Sequence, residues 1–121
     1  MSKKEVAIID YGMGNLKSVQ ISLNYLGVAN ELVRNPIYIN NYSHIILPGV
    51  GSFKTAIKNL KSVGMFDALI ECAKKKKQKI LGICLGMQLL FSNSSEGGLT
   101  KGLGIMNGKV EKFNPKKTKN L

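Results

Sequence analysis

Apolar residues along this chain fall into short β-branched runs that alternate with stretches of helical spacing. The run Glu5–Ile9 (EVAII) reads as a strand and stops at Asp10-Tyr11-Gly12-Met13-Gly14-Asn15. Leu16, Val19, Leu23 and Leu26 then recur at the spacing of one helix face, with Gly27 as the stop. Val28–Val33 reads as a second strand, broken by Asn35-Pro36. His44–Leu47 is a third, ended by Pro48-Gly49-Val50-Gly51. Ser52 stands where a helix N-cap belongs. Behind it Phe53, Ala56, Ile57 and Leu60 share one face, and Lys54, Lys58 and Lys61 the other. Phe66, Leu69, Ile70 and Ala73 mark another helix. A fourth strand follows at Lys79–Ile83, then a turn at Cys84 and a helix through Met87, Leu89, Leu90 and Phe91.

Strands that are apolar nearly throughout belong in a parallel sheet covered on both faces. The expected fold is therefore α/β: an open, mostly parallel sheet with helices on both faces, as in flavodoxin-like proteins. Ligands gather at the carboxyl ends of such strands. The glycine-rich turns at 12–14, 49–51 and 82–86 each follow a strand, so they are expected to share one sheet edge and one cleft. Farther on, residues 93–98 read as a polar loop, GLGIMNGKVEKF as extended chain, and Asn107-Gly108 as a hairpin turn. From Asn114 the chain reads as a tail. No internal repeat interrupts this order.

Length and composition narrow the class. The 121 residues suit a single domain, 1–121, and 44% hydrophobic with 21% charged residues is an ordinary globular balance. No run approaches the roughly 20 apolar residues of a membrane span, and the opening lacks a secretory h-region. Cys72 and Cys84 form no C-x-x-C pair and are too few for a disulfide framework or a zinc site, which points to a reducing, cytoplasmic setting. With one histidine, His44, no metal centre is expected, and no cofactor. The net charge of +11 invites a nucleic-acid partner, but Arg34 is the only arginine among 18 basic residues and the lysines are dispersed. A solvated basic surface accounts for them, and neither nucleic acid nor membrane is expected as a partner.

Gly82-Ile83-Cys84-Leu85-Gly86 has the G-x-Nuc-x-G spacing of a nucleophile elbow. Flanking glycines relieve the crowding of such a strand-to-helix turn. The thiol would sit at a helix N-terminus, where the dipole favours thiolate, and the Leu85 N–H would face an oxyanion formed by attack on a carbonyl. A buried structural cysteine fits the same five residues. The turn at Pro48–Gly51 adds a second source of backbone N–H groups beside it.

In their order, DYGMGN, LPGVGSF and GICLGMQLLF resemble the class I (triad-type) glutamine amidotransferases. Within that family the nearest pattern is that of glutaminase subunits serving imidazole glycerol phosphate synthesis, in histidine biosynthesis. The resemblance runs from about Val6 to Phe113. It implies that Cys84 attacks the side-chain amide of glutamine, releases ammonia and leaves a glutamyl thioester for water. The Leu85 N–H and one from Val50 or Gly51 would form the oxyanion hole. Gln88, Glu96 and Gly49 would contact substrate, and Asn15 would lie near a cyclase subunit that receives the ammonia. By the residues alone, Gln88 reads more readily as a surface helix glutamine, and Asn15 is equally a helix cap.

The same resemblance implies a His-x-Glu pair well downstream of the cysteine, beyond Leu121. The chain is thus expected to be an N-terminal portion, with an incomplete sheet and no general base, and inactive as it stands. His44 opens its strand at the end opposite the glycine turns and is not expected to serve. Two alternatives stay open at this stage. One is a related amidotransferase feeding another synthase, as in surface-sugar biosynthesis. The other is a non-catalytic module that binds a partner or a small molecule.

Overall fold

A computed structural model describes residues 5–114. Strand β1 (Val6–Ile9) leads into helix α1 (Leu16–Tyr25), and β2 (Asn30–Val33) follows. The Asn15 side chain accepts the Ser18 N–H at 3.2 Å and starts α1. Gly27, at φ +73°, ends it: the Val28 N–H returns to the Leu23 carbonyl and the Gly27 N–H to that of Asn24. A 3-10 turn over Pro36–Asn41 then reverses the chain into β3 (His44–Leu47).

Helices α2 (Phe53–Ser62) and α3 (Met65–Lys75) come next, then β4 (Lys79–Gly82) and the short α4 (Leu85–Leu89). Ser52 caps α2 by accepting the Thr55 N–H, as its position predicts. Phe53, Ala56, Ile57 and Leu60 are buried on the predicted face. In α3 the face is turned slightly from the expected one, because Met65, Leu69 and Cys72 are buried while Phe66 and Ile70 lie at its margin.

The four long strands form one parallel sheet in the order β2-β1-β3-β4. Alternation along each strand divides the core between its two faces. Ala7, Ile9, Ile45 and Leu47 pack with α2, α3 and α4, whereas Val6, Ile8 and Ile46 pack with Leu16, Val19 and Leu23 of α1. Cover is uneven at the β4 edge. Leu81 is 58% exposed there, so the expectation of strands buried on both faces fails for β4.

The segment after α4 departs most from its sequence reading. Strands β5 (Asn93–Ser94), β6 (Thr100–Lys101) and β7 (Lys109–Val110) make a small second sheet. Its hairpin joins β5 to β6 around residues 95–99, while β7 adds to β5 in parallel, so Asn107-Gly108 is a bend and not the predicted hairpin turn. The reason lies in hydrogen bonding. The N–H groups of Gly102, Leu103, Gly104 and Met106 go to the carbonyls of Ser92, Leu89, Phe91 and Leu90. These bonds satisfy the open end of α4 and stop it at Leu89, short of Phe91. Residues 102–106 are therefore not available to pair with 109–113. Residues 115–121 of the predicted tail lie outside the described residues.

Candidate active site

The three glycine-rich turns do converge at the carboxyl edge of the large sheet. A Cβ placed on Gly14 would lie 3.2 Å from the Gly49 nitrogen, and one on Gly49 would lie 2.5 Å from the Tyr11 hydroxyl and 3.1 Å from the Gly86 nitrogen. Backbones this close exclude side chains. The turn after β1, the turn after β3 and the turn after β4 are packed into one body.

Cys84 sits at the apex of the last turn with φ 54° and ψ −120°, a conformation that costs a non-glycine residue on the order of 1–3 kcal/mol. Its side chain is exposed. The two glycines that flank it are required for space. A Cβ on Gly82 would lie 2.5 Å from the Met87 Cα, and one on Gly86 would overlap the Leu47 carbonyl. This is the crowding expected of a nucleophile elbow. Cys72 is its opposite: buried in α3, with its thiol pushed up by burial, an effect opposed by Lys75 and reinforced by Glu71.

Three successive carbonyls, from the last residue of β3 into the turn after it, each have a separate donor. The Leu47 carbonyl accepts from the Ile83 N–H at 3.0 Å, that of Gly49 from the Leu85 N–H at 3.2 Å, and that of Pro48 from the Tyr11 hydroxyl at 2.6 Å. The amide expected to serve an oxyanion, Leu85 N–H, is therefore occupied by the Gly49 carbonyl in this structure. Val50 is exposed, and Gly51 adopts φ +111°, with Met13 Cε 2.8 Å from where its Cβ would stand. Burial raises the pKa of the Tyr11 phenol well above its ordinary value, which keeps it a donor.

Gln88 and Glu96 come together. They line one cleft of about 500 Å³ with Ser95, Gly97, Val110, Glu111 and Lys112. Cys84 is not among the residues lining it, although Gln88 stands one helical turn beyond the cysteine. The Glu96 loop is held from below, since its N–H donates to the hydroxyl of the fully buried Ser94 at 3.1 Å. Asn15 uses its side-chain oxygen to cap α1. His44 lies at the far end of β3, with its Nδ1 2.7 Å from the Ser43 hydroxyl. Its register partner is Lys79, and Cys84 stands five residues farther along, roughly 15 Å away at the rise of a strand.

Sequence reasoning missed Tyr11, Ser94, Glu111 and Lys112. Tyr11 had a visible signal, as an aromatic directly after a strand at the glycine-turn edge. For Ser94, Glu111 and Lys112 no local pattern marks the position, because the second sheet that places them follows from the capping of α4. Among the described residues no group of three or more His, Cys, Asp or Glu side chains is placed to hold a metal ion.

Residues 7–120 match the family model described as "Glutamine amidotransferase class-I". The chain belongs to the class I glutamine amidotransferases. Among its amidotransferase relatives is "Imidazole glycerol phosphate synthase subunit HisH 1" of Campylobacter jejuni subsp. jejuni serotype O:23/36 (strain 81-176). It is 47% identical over 108 residues, covering 89% of this chain and 54% of the relative. A subunit HisH of Sulfurimonas denitrificans is 46% identical over 112 residues (93% and 54%), and one of Moorella thermoacetica 48% over 110 residues (91% and 52%). The chain thus spans about half the length of the curated relatives it matches. A solved structure described as "Crystal structure of glutamine amidotransferase" superposes with a TM-score of 0.76 at 22% identity, over 88% of this chain and 55% of that one. That likeness fixes the fold. No helix among the described residues is long and apolar enough to cross a membrane.

Proposed function

We propose that this amidotransferase chain, as one domain over residues 1–121, carries the nucleophile and glutamine-binding part of a glutaminase. Its ammonia would pass to a cyclase subunit in imidazole glycerol phosphate synthesis. The observation that carries the reading is Cys84 itself, exposed and held in a left-handed elbow by two glycines that nothing larger can replace. The names of the relatives support the pathway, and a cytoplasmic heterodimer is the assembly that goes with it.

The chemistry follows from the parts. The Cys84 sulfur attacks the side-chain amide carbon of glutamine, forming a C–S bond and a tetrahedral oxyanion. The oxyanion collapses, the C–N bond breaks, and nitrogen leaves as ammonia after taking up a proton. Water then attacks the thioester, the C–S bond breaks, and glutamate and the thiol are restored. An acid–base group must move those protons. With His44 at the wrong end of the sheet, that group belongs outside the described residues.

Glu96 supplies negative charge for an α-ammonium group, joined by Glu111, which pairs with Lys109 at 3.3 Å, and Lys112 supplies positive charge for an α-carboxylate, around a cleft that also contains Gln88. The Leu85 N–H becomes an oxyanion donor once the Gly49–Val50 peptide turns, since the same rotation withdraws the Gly49 carbonyl and presents the Val50 N–H in its place.

A chloroketone analogue of glutamine, followed by peptide mapping, tests the reading. Cys84 should be alkylated and Cys72, whose raised pKa and burial leave it little thiolate, should be spared. Equal labelling of both thiols, or none at Cys84, overturns it and favours a binding role.

A further inference from the structure

The three carbonyls at the end of β3 and in the turn after it are held unequally. Those of Leu47 and Gly49 are bound by the Cys84 turn itself, through the Ile83 and Leu85 amides. The middle one, Pro48, is bound from the turn after β1 by a phenol that is 2% exposed. Gly49 lies directly against that phenol, with no room for a Cβ between them. Pro48 and Gly49 are themselves buried, so without Tyr11 the Pro48 carbonyl would face no water to replace it.

We infer that Tyr11 is a positioning residue for the oxyanion hole: its hydroxyl anchors the Pro48 carbonyl, so that only the peptide between Gly49 and Val50 rotates when the Leu85 amide is released. The inference rests on the glutaminase reading above and adds a residue to it. Rotation about one fixed point costs little reorganisation and brings the donors to a defined place. Rotation of the whole turn would not. The anchor needs the hydroxyl and not merely the ring, which makes phenylalanine the informative replacement.

Two readouts separate the possibilities. The first is hydrogen exchange of the Leu85 amide by NMR, which needs no substrate. Tyr11→Phe should speed it about tenfold, the effect of losing one buried hydrogen bond at the turn. Exchange equal to that of the unaltered chain overturns the anchor, whether or not the chain recognises glutamine.

The second readout is the rate of Cys84 alkylation by the glutamine chloroketone divided by that by iodoacetamide, which has no use for an oxyanion hole. Tyr11→Phe should lower this ratio about tenfold. Tyr42→Phe, which loses a phenol hydrogen bond of 2.9 Å to Glu31 far from the turn, should leave it unchanged. An unchanged or higher ratio in Tyr11→Phe, or an equal fall in both variants, overturns the positioning role. Failure of the unaltered chain to label Cys84 selectively would count against the glutaminase reading, leaving amide exchange to decide the anchor.

Discussion

Gly86 stands so close to the Leu47 carbonyl that a Cβ on it would occupy the carbonyl's own space. The contact ties the first turn of α4 to the end of β3 and so fixes where Cys84 points. Backbone on both sides of the contact leaves no flexible atom to yield. Gly86→Ala should therefore cost about 3 kcal/mol or more, the upper range of overpacking. Gly27→Ala is the contrast, because open space surrounds that position and only its φ of +73° resists, at about 1–2 kcal/mol. Urea denaturation of the two variants checks the order, and a smaller loss at Gly86 would remove the steric argument for the elbow.

The strain at Cys84 makes a prediction of opposite sign. At φ 54° and ψ −120° the cysteine occupies a region that suits glycine. Cys84→Gly should raise unfolding free energy by about 1 kcal/mol, while Cys84→Ala, which keeps the Cβ, should not. Both lose the thiol and with it alkylation by the glutamine analogue. A stability gain from losing the one side chain proposed for chemistry is the signature of strain held for function. A glycine variant no more stable than the alanine variant would mean that the turn relaxes around its cysteine without cost.

What could be read in advance follows a physical line. The parallel sheet was legible because Val6–Ile9, His44–Leu47 and the glycine turns behind them are local signals, and each obeys its own local rule. The convergence of those turns could be inferred from strand direction alone. The occupied Leu85 amide could not, because it depends on the rotation of one peptide that no residue type dictates. The second sheet was misread for a related reason. Asn107-Gly108 has the chemistry of a hairpin turn, but Gly102, Leu103, Gly104 and Met106 commit their amides to the end of α4 and the residues just after it. Tertiary hydrogen bonding overrode a local preference. The cleft around Gln88 and Glu96 was half visible, with Glu111 and Lys112 brought in only by the strand that the hairpin reading misplaced.

Tyr42 gives the fold a dependence on alkaline pH. Its phenol donates to Glu31 Oε2 at 2.9 Å, and its pKa is pushed up to about 12, first by burial and then by that hydrogen bond and the carboxylate's charge. In the unfolded chain the group titrates near 10. Because the folded state holds the proton more tightly, this contribution is complete below pH 10 and is lost as pH rises toward 12. Over that window the unfolded chain binds fewer protons, so unfolding becomes easier with each unit of pH. Tyr11, also raised by burial, acts in the same direction. Thermal unfolding followed from pH 9 to 11.5 should show a falling midpoint, with a shallower fall in Tyr42→Phe. Glu31→Gln removes the carboxylate charge while retaining an acceptor, and should lower the phenol's folded-state pKa, so that the fall still begins near pH 10 but ends at lower pH and is smaller in total. A Tyr42→Phe profile as steep as that of the unaltered chain would show that the phenol does not carry the effect.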